Sequence, residues 1–205
     1  MTVNDTTVPS LINFSVETET TGTNLSRNNV VVNVSAIDNG VIDRIVIRLY
    51  NSTQSTIYNN SISGAGVSSY YINFTSLSDG VYYFNATVND TYGNSNSSSG
   101  TRTVTIDTTL PVPSFGTGTE TSGTNFSRAW VYANVSVTET NEANITFTLY
   151  NSTSSYNITT FTTAVRTINW TGLADGIYTY NVSVRDYANN VNTTETRTIR
   201  LDNAA

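Results

Sequence analysis

The chain of 205 residues states one pattern twice. Asp5-Thr6-Thr7-Val8-Pro9 returns as Asp107-Thr108-Thr109-Leu110-Pro111, and Gly22-Thr23-Asn24-Leu25-Ser26-Arg27 as Gly123-Thr124-Asn125-Phe126-Ser127-Arg128. Leu49-Tyr50-Asn51-Ser52-Thr53 recurs at Leu149 to Thr153, and Leu77-Ser78-Asp79-Gly80-Val81-Tyr82 as Leu173-Ala174-Asp175-Gly176-Ile177-Tyr178. The offset drifts from 102 to 95, so insertions fall in loops while the elements keep register. A period near 100 residues means one small domain built twice, over 1–106 and 107–205, rather than one large fold. The second copy ends at Asp202-Asn203, where the junction would begin again, so a longer array is expected.

Composition narrows the chemistry. All 9 basic residues are Arg; Lys, His and Cys are absent. The usual general base, thiol and amine nucleophiles and soft metal ligands are therefore missing, and the chain is expected to be no enzyme and to require no cofactor. Net charge of −6 with no basic cluster argues against nucleic acid and anionic membrane surfaces as partners. No apolar run approaches the ~18 residues of a spanning helix, so no membrane insertion is expected of this segment.

With 37 Thr, 27 Asn and 24 Ser and few helix formers, the chain reads as strands and turns. Period-2 runs assign the faces. Val30, Val32, Val34 and Ala36 point in, against Asn33 and Ser35; Val131, Ala133, Val135 and Val137 point in, against Trp130, Tyr132, Asn134 and Ser136. Tyr82, Phe84, Ala86 and Val88 repeat the pattern, as do Tyr178, Tyr180, Val182 and Val184. With strands at 11–16, 43–50, 55–62, 101–106 and around Ile72-Phe74, about seven per copy are expected, giving an all-β chain of two sandwiches.

Leu-x-Asp-Gly-x-Tyr, at Tyr82 and Tyr178, resembles the tyrosine corner of immunoglobulin-like and fibronectin-type sandwiches. With the Asp-x-x-x-Pro openings and the Asp-x-x-x-Asn loop before the last strand, the chain resembles tandem prokaryotic, archaeal-type immunoglobulin-like domains of cell-surface glycoproteins: S-layer and stalk proteins, adhesins, and filament subunits. The Cys…Trp…Cys pattern of antibody domains is absent. These motifs specify fold better than function.

The functional signal is the Asn-x-Ser/Thr triplet, the N-glycosylation acceptor. It begins at Asn4, Asn13, Asn24, Asn33, Asn51, Asn59, Asn73, Asn85, Asn89 and Asn96, then at Asn125, Asn134, Asn144, Asn151, Asn157, Asn169, Asn181 and Asn192. That is 18 of 27 Asn, where 61 Ser and Thr in 205 residues would give 27 × 61/205, about 8, by chance. A polar strand face of Asn, Ser and Thr would also generate such triplets. Asn disfavours strands, however, so repeated use of Asn on strand faces points to modification. Covalent N-glycans and an extracellular or cell-surface location follow as expectations.

Two weaker constellations remain. Asp38, Asp43, Asp90 and Asn94 are placed on loops at one pole of the first copy; Glu139, Glu142, Asp186 and Asn189 are their counterparts, near Asp107. Asp107, Glu139, Glu142 and Asp186 form a candidate Ca²⁺ set, as in cadherin-like arrays; the alternative is that these residues cap turns. Trp130 and Tyr132 are outward neighbours and a candidate interface. For the chain's role, a structural part of a surface assembly (filament subunit, or stalk or S-layer segment, contacting copies of itself) competes with an adhesin or carbohydrate-binding module. Residues 1–16 are either an arm that completes a neighbour's sheet by strand addition or strand A of their own domain.

Overall fold

The computed structural model describes residues 5–97 and 99–203. The chain divides into two compact units, Met1–Thr108 and Thr109–Ala205. Unit 1 contains β1 (Leu11–Phe14), β2 (Thr23–Leu25), β3 (Val30–Ile37), β4 (Ile42–Tyr50), β5 (Thr56–Ser63), β6 (Ser69–Phe74), β7 (Gly80–Asp90), β8 (Ser95–Asn96) and β9 (Arg102–Ile106). Unit 2 contains β10 (Val112–Phe115), β11 (Asn125–Phe126), β12 (Trp130–Thr138), β13 (Glu142–Tyr150), β14 (Ser155–Phe161), β15 (Thr167–Thr171), β16 (Gly176–Asp186), β17 (Val191–Thr193) and β18 (Arg197–Leu201). Among the described residues there is no helix.

Each unit is an immunoglobulin-like β-sandwich. In unit 1 a three-stranded sheet, β1-β3-β6, faces a larger one, β2-β9-β7-β4-β5, with β8 attached to β7. Unit 2 repeats this as β10-β12-β15 and β11-β18-β16-β13-β14, with β17 on β16. All pairings are antiparallel except the parallel contacts β2–β9 and β11–β18. The period-2 runs produce this arrangement because successive side chains point to opposite faces of a strand. Val30, Val32, Val34 and Ala36 of one sheet and Ile45, Ile47, Leu49, Phe84, Ala86 and Val88 of the other are all buried in one core. Val131, Ala133, Val135, Phe147, Tyr180, Val182 and Val184 fill the second. Each fully buried aliphatic or aromatic side chain contributes roughly 1.5–3 kcal/mol by leaving water.

The expected seven strands per copy become nine among the described residues. The extra ones, β2 and β8 with their counterparts β11 and β17, are two or three residues long and too short to show a period. Residues 11–14 are strand A of their own unit: β1, at the edge of its sheet, pairs antiparallel with β3, Leu11 opposite Ile37 and Phe14 opposite Val34. The strand stops at Phe14, and Val16 is fully exposed. A filament built by adding this strand to a neighbour would first have to break that pairing. Residues 1–4 lie outside the described residues, and Asn4 with them.

The repeated Asp-Gly turn has a local cause and a local purpose. Gly80 sits at φ 151° and Gly176 at φ 157°, conformations that a Cβ disfavours. Two residues on, the Tyr82 hydroxyl donates to the Ser78 carbonyl at 2.9 Å, and the Tyr178 hydroxyl to the Ala174 carbonyl at 3.1 Å. Asp79 Oδ1 accepts from the backbone N–H and the hydroxyl of Thr108 at 3.0 and 2.8 Å, and Asp175 Oδ1 accepts from the N–H of Asn203 at 2.7 Å. These aspartates anchor the segment leaving the last strand of each unit, a structural role that occupies the same oxygen in both copies.

Candidate functional site

Strand register places the acceptor asparagines. In unit 1, Asn13 on β1, Asn33 on β3 and Asn73 on β6 all lie on the outer face of the three-stranded sheet, because their chain neighbours Ile12, Phe14, Val32, Val34, Ile72 and Phe74 belong to the core. Asn134 and Asn169 hold the matching places in unit 2. Asn85 pairs opposite Arg48 on the outer face of the larger sheet, and Asn181 opposite Thr148 in the same register. Counting Asn24 with Asn125, Asn51 with Asn151, and Asn96 with Asn192, six acceptor pairs recur at equivalent positions of the two units.

None of the described acceptor asparagines is buried. They differ in what their amide nitrogen does, which matters because Nδ2 is the atom that carries a glycan. Asn13, Asn24, Asn59, Asn73, Asn125, Asn157 and Asn169 are exposed, and their Nδ2 atoms donate to no partner among the described residues. Asn33, Asn85 and Asn181 are half-buried and their amides reach Glu17, Thr101 and Thr196 at 3.3, 3.4 and 3.3 Å. Asn134 donates to the Thr117 carbonyl at 3.0 Å, Asn96 to the Pro9 carbonyl at 2.6 Å, and Asn192 to the Pro111 carbonyl at 2.9 Å. Asn89 and Asn144 are half-buried on β7 and β13. Asn51 and Asn151 use Oδ1 to close turns, accepting from Thr53 N–H at 3.1 Å and Thr153 N–H at 3.0 Å.

The acidic residues separate. Glu142 is held by Arg166, whose two terminal nitrogens meet its two carboxylate oxygens at 2.9 and 2.6 Å; this pair takes the residue away from the expected Ca²⁺ set. In unit 2, carboxylate oxygens of Glu139 and Asp186 come within 4.8 Å of each other. Asp186 is fully buried and accepts from the N–H and the Nδ2 of Asn190 at 2.8 and 2.7 Å, so Asn190, and not Asn189, completes that loop. Glu139 Oε1 caps the N–H of Asn141 at 2.6 Å. Asp107 is buried at the end of unit 1, its N–H bonded to the Leu25 carbonyl at 2.9 Å.

Unit 1 has the same loop at Asp90. Burial alone would raise the pKa of its carboxyl, but hydrogen bonds from the side chain and backbone of Asn94 and the backbone of Tyr92 and Gly93 outweigh it and hold the pKa below the usual carboxylate range. Asp43, read from sequence as part of this pole, does not join the acidic group there; Asp5 does, with Asp38 and Asp90. The repeat itself carried that signal, since Asp5 is the counterpart of Asp107.

Trp130 is 38% exposed, but the Arg128 guanidinium lies 3.7 Å from its ring centroid and 3.9 Å from that of Phe126. Arg128 is also paired with Glu120. One face of the indole is thus covered by a cation. Tyr132 is half-buried and stands opposite Asn169.

No family model matches the chain, and no curated protein matches it. Solved structures of similar form include fibronectin(III)-like modules of Clostridium thermocellum CbhA, with TM-score 0.47, 10% identity and 93% of each chain covered. The chicken CNTN1 FN1-FN3 domains give TM-score 0.47 and 11% identity over 95% of this chain and 67% of that one. A tetra-tandem repeat from the extending region of a large adhesion protein gives TM-score 0.41 and 18% identity over 95% of this chain and 50% of that one.

Proposed function

We propose that the chain is a structural, non-enzymatic module of an extracellular or cell-surface assembly, of the filament, stalk or S-layer kind, and that it carries N-linked glycans. One observation carries this reading: the acceptor triplets exceed chance about twofold, yet no described acceptor asparagine enters either core, and six pairs of them recur at equivalent positions of the two units. A strand face needing only solubility would favour Thr and charged residues, because Asn is a poor strand former. Glycans on the outer faces also guard against lateral pairing of chains, a standing hazard for sandwiches with open edges such as β5 and β14. The absence of Lys, His and Cys supports a non-catalytic role. Archaeal-type surface glycoproteins are the class whose composition this one resembles.

The competing adhesin or carbohydrate-binding reading would draw on Trp130 and Tyr132. Arg128 takes one face of Trp130, and unit 1 has Asn29 and Val31 in the corresponding places, so no shared platform supports it. Immuno-electron microscopy of native cells tests the proposal. Regular surface labelling along filaments or a lattice is the expected result; exclusively cytoplasmic labelling would refute it.

A further inference from the structure

One end of unit 1 brings three carboxylates together: Asp5 from the N-terminal segment, Asp38 after β3, and Asp90 at the end of β7, with one oxygen of each within 4.8 Å of the others. Their surroundings differ. Asp90 Oδ1 accepts from the N–H groups of Tyr92 and Asn94 at 2.9 and 2.8 Å, and its Oδ2 from Asn94 Nδ2 at 2.6 Å. Asp5 Oδ1 accepts from the Thr7 N–H at 2.9 Å and lies 3.4 Å from Asn39 Nδ2. Asp38 has nothing. Both its oxygens are buried, each exposing less than 1 Å², and neither has a hydrogen-bond partner. No ion pair among the described residues reaches any of the three acids.

A buried, unpartnered carboxylate beside two others is an arrangement that water-free burial penalises steeply and that a cation relieves. We propose that Asp5, Asp38 and Asp90 bind a hard divalent cation, Ca²⁺ in the first place. Asp38 supplies the ligand oxygens that have no other use, Asp5 Oδ2 is free of the cap held by Oδ1, and Asp90 Oδ2 is oriented by Asn94. Ca²⁺ takes 6–8 oxygens in flexible geometry, so water completes the shell, whereas Mg²⁺ demands a stricter octahedron. Bound there, the ion ties the N-terminal segment to the β3–β4 and β7–β8 loops. Asn94 already bridges two of these elements, donating from Nδ2 to the Asp5 carbonyl at 3.0 Å.

The test is isothermal titration of the chelator-treated full chain with CaCl₂ up to about 10 mM, beyond the roughly 10⁻⁴–10⁻³ M range of extracellular Ca²⁺ modules. The same titration is run on Asp38→Asn and, as a control for the other unit, on Asp186→Asn. Wild type is expected to bind and to melt higher with Ca²⁺. Asp38→Asn is expected to lose one binding equivalent and to melt no lower than wild type without Ca²⁺, because a repelling charge is gone. Asp186→Asn should keep that equivalent. Should Asp38→Asn not fold, hydrogen exchange on wild type decides: Ca²⁺ must slow exchange in peptides spanning residues 38–41 and 90–94. No binding by wild type, an unchanged stoichiometry in Asp38→Asn, or exchange slowed only outside those segments overturns the proposal.

Discussion

Asn192 donates its side-chain amide to the carbonyl of Pro111 at 2.9 Å, fastening the middle of unit 2's short strand β17 to the segment that enters the unit. Asn96 makes the same bond to Pro9 at 2.6 Å. Both asparagines begin acceptor triplets, so one residue type is asked either to hold the fold or to carry sugar. A half-buried amide already bonded to backbone is poorly placed to be conjugated, whereas Asn73 and Asn169 are exposed and their Nδ2 atoms donate to no partner among the described residues, Asn73 using only its Oδ1, which accepts from Asn29 Nδ2 at 2.8 Å. Glycopeptide mass spectrometry of native material should therefore find Asn73 and Asn169 modified at high occupancy and Asn96 and Asn192 bare. The reverse order would mean that exposure does not govern occupancy here.

Replacing Asn192 by Ala tests the same bond from the folding side. Loss of a satisfied hydrogen bond, with a backbone carbonyl left to find water, is expected to cost about 1 kcal/mol. Urea unfolding of Asn192→Ala should show a lower midpoint with an unchanged slope, while Asn169→Ala, which breaks no such bond, should unfold as wild type does.

The tyrosine corners make a paired prediction. Tyr82→Phe removes a hydroxyl bonded to Ser78, and Tyr178→Phe one bonded to Ala174. Each should destabilise its own unit by roughly 0.5–1.5 kcal/mol. In a chain whose units unfold separately, calorimetry would show one transition moving per variant. Equal movement of both transitions by either single variant would contradict the division into two units.

Tyr180 supplies a pH dependence. Its side chain is fully buried, and the hydroxyl donates to the Glu120 carbonyl at 2.5 Å. Burial pushes its pKa up to about 12, against a smaller opposing pull from Arg197. The folded state thus favours the neutral phenol, so this contribution is intact below about pH 10, the ordinary tyrosine value, and is lost as pH rises towards 12. Unit 1 has Phe84 at the equivalent place, so Tyr180→Phe should fold well. Denaturation melts between pH 9 and 12 should show wild type falling more steeply than Tyr180→Phe; parallel curves would contradict the shift.

The sandwich was legible in the sequence because alternation, turn chemistry and the repeat all agree on it: Val30 to Ala36 and Tyr82 to Val88 read as inward rows and are inward rows. Strands β2 and β8 were not legible, since two or three residues carry no period and their pairing is set by partners some 80 residues away or by a turn. The candidate site was half legible. The triplets mark Asn33 and Asn73 alike, but only the structure distinguishes an Nδ2 that donates to Glu17 from one that donates to no described residue. The acids misled more. Glu142 resembles its acidic neighbours in sequence, and nothing local announces that Arg166, 24 residues on, claims it; Asp5 is legible only through the repeat, as the counterpart of Asp107, and not from its own N-terminal segment.

Glycosylation is measured most directly by the intact mass of the protein recovered from its native cells. The bare polypeptide weighs 22.3 kDa. The expected result is a distribution several sugar units or more above that value, collapsing towards it on chemical deglycosylation, with the added mass mapped to Asn73, Asn169 and the other exposed acceptors. A single species at the bare polypeptide mass would contradict it, and would return the triplets to what a strand face made of Asn, Ser and Thr produces unaided.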